Sequence, residues 1–322
     1  MKGATGGPAP SAAQGDVGAR PLRGTAFGHG KVILIGEHAV VYDQPALAAG
    51  LSLGVTATAT DGAGRLSIPA WGLSATAADG SPVGRAFGAV LARLHVDDVD
   101  VSVEGALPAR SGLGSSAALS IAVARAVAQA RGRDDETARA AAAEAETVFH
   151  GTASGIDLAA AASGAIGRFR RSEGWREIPV LQAMPLCVGL TGRPRDTRAQ
   201  VEAVRRLRER TPVVTTVIEA LGALVAPAER ALAVGDIDDL GRLLDVAHGL
   251  LAALRVSSPE LDTMVHAARA AGAVGAKLTG AGGGGAVIAL APGHERDVLA
   301  RWKSAGFEGF ATGIGGKLEW PL

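Results

Sequence analysis

Apolar and polar residues follow two different spacings along this chain, and each spacing predicts one kind of element. In the N-terminal third, short β-branched runs are bounded by Gly, Asp and Pro, which is typical of strands. The runs that predict strands are VILIG after Lys31, AVVY, ALAAGLSLGVTATAT and VDVSVEG around 99–105. Residues 83–94 instead place apolar side chains at helical spacing, and residues 61–80 have the composition of a loop.

The middle of the chain predicts two helices followed by two strands. A Gly- and Ser-rich segment, ARSGLGSSAA, runs directly into an Ala-rich helix that reaches about Arg131, and a second helix covers roughly 134–150. GAIGRFR and WREIPV then predict two further strands.

After Pro185 helices dominate. LCVGLT predicts a strand, and three helical segments follow it: TRAQVEAVRRLRER, VTTVIEALGALVAPAERALAV and DIDDLGRLLDVAHGLLAAL. Ser258 and Pro259 are a cap residue and a first-turn proline, so a helix should begin there. GAKLTG and AVIALAP predict strands on either side of a glycine run, and a helix near 293–305 precedes a terminal strand. The mixture predicts an α+β protein.

The chain divides into three parts by composition. Residues 1–22 are rich in Gly, Ala and Pro and lack the apolar core of a signal peptide, so we expect a disordered tail. A change of character near residue 180 predicts two domains, 23–180 and 181–322. No stretch reaches the roughly 18 consecutive apolar residues that predict a membrane span.

Composition excludes several classes of function. The 322 residues carry 32 basic and 32 acidic side chains, and this zero net charge disfavours a broad nucleic-acid surface. One Tyr, four Trp and six Phe leave few faces for base stacking. The single cysteine, Cys187, cannot form an internal disulfide, so we expect a reducing, cytoplasmic location. The 45 glycines are about twice the usual share of ~7% and point to close backbone approaches.

The segment from Pro108 to Ala117 has the composition of an anion-binding loop. It lies between a predicted strand and a helix whose first turn contains Ser115 and Ser116, so free N–H groups and the positive end of the helix dipole meet there. A serine-capped turn with no ligand is the alternative. The segment is neither a P-loop, because G-x-x-x-x-G-K-[ST] is missing, nor a complete dinucleotide fingerprint.

A second glycine-rich segment, KLTGAGGGGAVIA at 277–289, has five glycines in the six positions from Gly280. Each glycine costs conformational entropy on folding, so a close approach by another group is expected here. A flexible hairpin loop is the alternative.

Two polar segments supply candidate reacting groups. In the segment from Glu146 to Asp157, a carboxylate together with a serine hydroxyl suits Mg²⁺, whereas the Glu146–His150 spacing lacks a third ligand for a transition metal. Asp157 could instead close a capping box with Ser154. In GKVILIGEHAVV, Lys31 and the Glu37-His38 pair are either functional or ordinary surface groups.

Taken together, these segments resemble the motifs of the GHMP kinases, with Lys31–Val41, Pro108–Ala118 and Lys277–Ala286 as the three motifs. Within that superfamily GKVILIGEHAVVYDQPALA, ETVFHGTASGID, PRDTRAQVEAVR and AKLTGAGGGG are similar to the mevalonate kinase family, and the resemblance runs from about residue 24 to 316. It implies two α+β domains with the active site between them, the N-terminal one with a left-handed βαβ unit and the C-terminal one ferredoxin-like. It also implies ATP-dependent phosphorylation of mevalonate, and it allows a homodimer.

The resemblance further implies a role for each site residue. Asp157 would be the catalytic base, with Lys31 beside it, and Ser116 and Glu146 would hold Mg²⁺. ATP would be bound by residues of the second motif: Pro108, Arg110, Ser111, Gly112, Leu113, Gly114, Ser115, Ser116 and Ala117. The glycines that would support this loop are Gly280, Gly282, Gly283 and Gly284. Mevalonate would be held by Glu37, His38, Asp157, Arg195, Thr197 and Arg198.

Two positions depart from the family pattern, and three alternatives stay open. Gly28-His29 replaces the usual Ala-Pro before the first motif, and Asp196 stands where asparagine is common in eukaryotic members. Phosphomevalonate kinase and homoserine kinase are the nearest alternative activities. A non-catalytic nucleotide-binding relative is the third, although Lys31, Asp157 and Glu146 are all present.

Overall fold

The computed structural model describes residues 23–105, 107–108, 112–150, 155–193 and 196–315. The predicted tail at 1–22 lies outside the described residues. Within them the strands are β1 (Arg23–Ile35), β2 (Ala46–Asp61), β3 (Arg65–Ile68), β4 (Leu73–Thr76), β5 (Val99–Gly105), β6 (Ile166–Arg170), β7 (Gly174–Glu177), β8 (Met184–Leu190), β9 (Gly275–Thr279), β10 (Ala286–Leu290) and β11 (Glu308–Ile314).

The helices follow the predicted 3.6-residue periodicity closely. They are α1 (Pro82–Leu94), α2 (Ser115–Ala130), α3 (Asp135–His150), α4 (Ile156–Ser163), α5 (Thr197–Arg210), α6 (Val213–Ala223), α7 (Val225–Val234), α8 (Ile237–Ala253), α9 (Pro259–Ala270) and α10 (Glu295–Ser304). The predicted start of α9 is confirmed, because the Ser258 hydroxyl accepts a hydrogen bond from the Leu261 N–H. None of the helices in the described part of the chain combines the length and apolar character of a bilayer crossing.

Two open sheets organise the molecule. The first has the order β4-β3-β5-β2-β6-β7, with β1 paired antiparallel to β2 along most of its length. Helix α2 packs against β1 and β2, and α1 and α3 pack against each other and against α2. The pairings among the described strands are antiparallel except for β3 with β5, whose connection contains β4 and α1.

The second sheet has the order β11-β8-β10-β9, the strand order 4-1-3-2 of a ferredoxin-like fold. Helices α8 and α9 pack on β9, and α10 packs on β8 and β11. The buried Trp302 of α10 donates its indole N–H to the Met264 carbonyl of α9 at 2.8 Å, which fixes these helices to each other. The expected mixed α/β, two-domain architecture is confirmed; the predicted boundary near residue 180 lies between β7 and β8 and stays a prediction.

Three local predictions were wrong. AVVY forms a 3-10 helix, Ala39–Tyr42, because the preceding His38 has a φ of 61° and turns the chain out of the strand direction. Residues 61–80 contain β3 and β4, which are only four residues each but pair with one another and extend the sheet. The long segment after Pro212 divides into α6 and α7 at Leu224.

Candidate active site

Lys31 and Asp157 form an ion pair between the two elements that carry them. Lys31 lies in β1 and Asp157 in the first turn of α4, with Nζ 2.9 Å from Oδ1. The Lys31 side chain is 3% exposed and that of Asp157 is 41% exposed, so the ammonium is enclosed while the carboxylate remains accessible. Gly155 is the N-cap of α4, and the Asp157 carboxylate faces Lys31. Ser154, the other residue of the alternative capping box, lies outside the described residues.

The glycine loop before α2 lies directly against Lys31. The Lys31 N–H donates to the Leu113 carbonyl at 2.8 Å. Gly114 caps α2 with a φ of 73°, and a Cβ at this residue would lie 2.6 Å from Lys31 Cγ. A side chain at Gly114 would therefore displace the lysine, so glycine is required here for contact as well as for backbone conformation.

The N-terminus of α2 presents its first turn beside this lysine. Ser115 and Ser116 are half-buried there, Ala117 is buried, and the first turn contains no acidic residue. The backbone N–H groups of a first turn and the positive end of the helix dipole favour an anion. Of the predicted loop residues, Pro108, Gly112 and Leu113 are described, whereas Arg110 and Ser111 lie outside the described residues.

Glu146 of α3 is a buried carboxyl group close to the same helix. It is 2% exposed, and the Ser120 hydroxyl donates to its Oε1 at 3.2 Å. Burial, and then the nearby Asp157 carboxylate, raise the pKa of Glu146 to about 7, against hydrogen bonds from Ser116 and Ser120 that lower it. A cation bound at this carboxylate would favour its ionised form.

The donor set around Glu146 fits a hard cation with few protein ligands. No group of three or more His, Cys, Asp or Glu that could hold a metal occurs in the part of the chain that the structure describes. One carboxylate and the Ser116 hydroxyl are oxygen donors, and Mg²⁺ commonly takes one or two protein ligands and completes its shell with phosphate oxygens and water.

Glu37 and His38 lie in the turn after β1 and are both enclosed. The Glu37 side chain is 1% exposed, and its Oε1 accepts a hydrogen bond from Lys277 Nζ in an ion pair. His38 is 5% exposed, and its Nε2–H donates to the Ala281 carbonyl at 3.0 Å. The structure thus assigns Glu37 a contact between the first and third motifs, and its predicted contact with substrate stays a prediction.

The remaining predicted substrate residues lie at the start of α5. Thr197 and Arg198 are exposed in its first turn, and Asp196 caps the helix by accepting a hydrogen bond from the Ala199 N–H at 3.0 Å. Arg195 lies outside the described residues. Their roles toward substrate stay predictions.

The third-motif glycines have neighbours from their own half of the chain. A Cβ at Gly282 would meet the Val256 carbonyl, one at Gly283 the Gln200 amide, and one at Gly284 the Arg193 backbone. Gly280 also has a positive φ, of 85°. Support of the α2 loop by these glycines stays a prediction.

Sequence reasoning missed Lys277 and Ser120 as site residues. Lys277 lies between Ala276 and Leu278 in the buried strand β9 and is itself fully buried, with 0% exposure. A lone lysine in an apolar strand implies a buried acidic partner, so the sequence did contain a signal for it. Ser120 lies one helical turn after Ser116 in α2, and nothing in its sequence context marked it as a site residue.

Comparison with known proteins shows the family of this chain. The family model of the GHMP kinases N terminal domain matches residues 81–165, and that of the GHMP kinases C terminal matches residues 228–308. Mevalonate kinase from Pyrococcus horikoshii is 36% identical over 307 residues, covering 86% of this chain and 91% of that protein. Mevalonate kinase from Aeropyrum pernix is 38% identical over 280 residues, covering 81% and 86%.

Solved structures show the same fold. The crystal structure of L. major mevalonate kinase in complex with R-mevalonate matches with a TM-score of 0.81 and 29% identity, covering 93% of this chain and 98% of that one. The Methanococcus jannaschii mevalonate kinase structure matches with a TM-score of 0.78 at 23% identity, covering 93% and 100%. With two family models in sequence order and relatives this similar over most of their length, the chain belongs to the GHMP kinases and, within them, to the mevalonate kinase family.

Proposed function

We propose that this protein transfers the γ-phosphoryl group of ATP to the primary C5 hydroxyl of (R)-mevalonate, giving 5-phosphomevalonate and ADP. The observation that carries the proposal is the Lys31–Asp157 pair, 2.9 Å apart, directly beside the N-terminus of α2. The site thus brings together an acceptor for the alcohol proton (Asp157), a cation (Lys31) and a helix N-terminus suited to phosphate (α2). Phosphoryl transfer depends chiefly on such positioning and charge neutralisation.

Asp157 acts on the alcohol in this proposal. Oδ1 is held by Lys31, while the 41% exposure of the side chain leaves the carboxylate able to accept the hydroxyl proton. The O–H bond breaks toward Asp157 as the alcohol oxygen bonds to the γ-phosphorus and the bond to the β-phosphate oxygen breaks. The Lys31 ammonium, paired with the carboxylate, also offsets negative charge on the transferring group.

The backbone of the α2 loop binds the triphosphate. The backbone N–H groups from Gly112 to Ser116 would cradle the phosphates, and the helix dipole has its positive end there. Because aligned N–H groups and one lysine provide the positive potential, the chain needs no basic surface, consistent with its zero net charge.

Ser116 and Glu146 would hold Mg²⁺ at this site. The ion, when bound, neutralises charge on the β- and γ-phosphates. The half-buried Ser116 at the helix terminus and the enclosed Glu146 would supply the oxygen donors. The single buried cysteine, Cys187, is consistent with a cytoplasmic location for the enzyme.

A substrate panel tests the proposed function. Purified protein is incubated with ATP and either (R)-mevalonate, 5-phosphomevalonate, homoserine or galactose, and ADP release is followed by a coupled assay while mass spectrometry identifies the product. We expect turnover with mevalonate alone. Turnover of another alcohol with none of mevalonate would refute the substrate assignment, and nucleotide binding without turnover of any alcohol would refute the kinase activity.

A further inference from the structure

His29 stands at the position where the chain departs from the family's Ala-Pro. It lies on the strand that carries Lys31, and its side chain contacts the end of the helix that carries Asp157. It precedes Lys31 by two residues in β1. Its ring lies against Gly164, which ends α4, the helix whose first turn contains Asp157. The Lys31–Asp157 distance depends on how α4 lies on β1, so a side chain wedged between them can set it.

The first contact of His29 is with the irregular part of the β1–β2 ladder. His29 pairs with Gly54, but Lys31 pairs with Gly50, so two steps along β1 correspond to four along β2. The Nδ1–H of His29 donates to the Leu51 carbonyl within this irregularity, at 2.8 Å. A bulge leaves backbone groups without ladder partners, and here the imidazole satisfies one of them.

The second contact is with the C-terminal end of α4. A Cβ at Gly164 would lie 2.4 Å from His29 Nε2, and the glycine has a φ of 71°. Gly164 also lies against Gly50, where a Cβ would come within 2.4 Å of Gly164 Cα, and Gly50 is the ladder partner of Lys31. The end of α4 is therefore in contact with the lysine's own strand pair.

The ring of His29 is held firmly in this place. Its edge-to-face contact with Phe27 has centroids 4.7 Å apart at 84°. Arg125 of α2 donates to the Ala162 carbonyl at 2.9 Å, so the last turn of α4 is fixed from a second direction. Burial lowers the pKa of His29. The hydrogen bond to Leu51 opposes this shift and the nearby Arg125 charge adds to it, so the net effect favours a neutral ring that acts as a spacer and not as a second cation.

We propose that His29 is a positioning residue for phosphoryl transfer: its ring, anchored on the Leu51 carbonyl, separates β1 from the end of α4 and thereby sets the Lys31–Asp157 distance. His29 itself contacts neither substrate. Its loss should lower kcat, because a shift of about 1 Å in reacting groups can cost up to about a hundredfold, while substrate binding is retained. This inference rests on the proposed kinase function.

Three variants test the spacer. His29→Ala and His29→Asn both remove the ring, and Asn keeps an N–H donor near the Leu51 carbonyl. His29→Phe keeps the ring but not the donor. We expect the Ala and Asn variants to lower kcat at least about tenfold, with KM for mevalonate and for ATP within about twofold of wild type, and Phe to lose less of kcat than either.

A stability control separates positioning from general destabilisation. Leu251 is fully buried in α8, outside the site, and Leu251→Ala should lower the melting temperature without a comparable loss of kcat at a temperature where each variant is folded. The inference is overturned if kcat of His29→Ala and His29→Asn stays within twofold of wild type, if KM rises instead of kcat falling, or if Leu251→Ala loses as much kcat. Wild-type protein that fails to phosphorylate mevalonate or any alcohol refutes the proposed function itself, which is a separate result.

Discussion

Lys277 and Glu37 form a fully enclosed ion pair that joins β9 of the second sheet to the turn after β1, across 240 positions of sequence. Next to it the Thr279 hydroxyl donates to the Ile33 carbonyl at 3.0 Å and accepts from the Ile33 N–H at 2.9 Å. With the His38–Ala281 hydrogen bond, these contacts attach the third motif to the first. The KLTG segment is thus a structural connection between the halves of the molecule as well as the start of a glycine loop.

Breaking one side of this pair should be far more costly than replacing both. Lys277→Met leaves the Glu37 carboxylate buried without its cation, and we expect the free energy of unfolding to fall by about 3–5 kcal/mol. The double variant Lys277→Met/Glu37→Gln should recover to within about 1–2 kcal/mol of wild type, because Glu37 Oε2 already has no hydrogen-bond partner among the described residues. Urea unfolding of wild type, the single variants Lys277→Met and Glu37→Gln, and the double variant gives the coupling directly.

The exposed pair of Arg205 with Glu202 is the control for that cycle. Its Arg side chain is 54% exposed and its charge is screened by solvent, so Arg205→Met should lower the free energy of unfolding far less than Lys277→Met does. Equal losses for Lys277→Met and Arg205→Met would contradict the structural role of the buried pair.

Asp157→Asn tests the proton acceptor. The amide keeps the shape of the side chain but cannot take the alcohol proton, so we expect kcat to fall by about 10²–10⁴ with the melting temperature changed by only a few degrees. ADP release with mevalonate is the measurement, and circular dichroism checks the fold. Near-normal kcat in a folded variant would remove Asp157 from this role.

Gly114→Ala tests the contact between the α2 loop and Lys31. The new methyl group would meet Lys31 Cγ and Cε, so kcat should fall at least about tenfold in addition to a stability loss of about 1–2 kcal/mol from the positive φ. The control is Gly132→Ala: Gly132 has a φ of 64° and open space around its Cβ position. We expect both variants to lose stability to a similar extent and only Gly114→Ala to lose kcat. Equal kcat values for the two variants would count against the contact between the α2 loop and Lys31.

Stability of the metal-free enzyme should fall as pH rises from about 5 to 8, in part because of Glu146. Its pKa is about 7 in the folded protein against 4.5 as the reference value, so between these values the folded state binds more protons than the unfolded state. The Glu146→Gln variant has no ionisable group at this position, so it should not lose this part of its stability as pH rises. The free energy of unfolding of the variant minus that of wild type should therefore increase by about 1–3 kcal/mol between pH 5 and pH 8. Chemical unfolding at both pH values checks this, and a difference independent of pH would refute the burial effect.

Glu146→Gln is expected to gain stability relative to wild type as pH rises, but to lose activity at low Mg²⁺ concentration. Removing the charge of Glu146 weakens a proposed magnesium ligand, so the Mg²⁺ concentration for half-maximal activity should rise in Glu146→Gln. Ser120→Ala is the comparison, since it removes a hydrogen bond to Glu146 but no proposed ligand. An unchanged Mg²⁺ titration for Glu146→Gln would exclude the role.

Local patterns in the sequence determined most of the elements. Helices such as α2, α5 and α8 follow from apolar spacing that one or two turns already show, and the cap at Ser258 follows from adjacent residues. Motif resemblance gave the identities of Lys31 and Asp157, because phosphate loops and their reacting groups have short, specific signatures.

Tertiary structure decided what depends on groups far apart in sequence. It turned AVVY into a 3-10 helix, paired Glu37 with Lys277, enclosed Glu146, and placed His29 between β1 and the end of α4. Whether a charge is buried, and which partner satisfies it, depends on packing between elements, which no local periodicity encodes. The sequence by itself therefore determined which residues could react, and only the fold decided which of them meet and which are closed off from solvent.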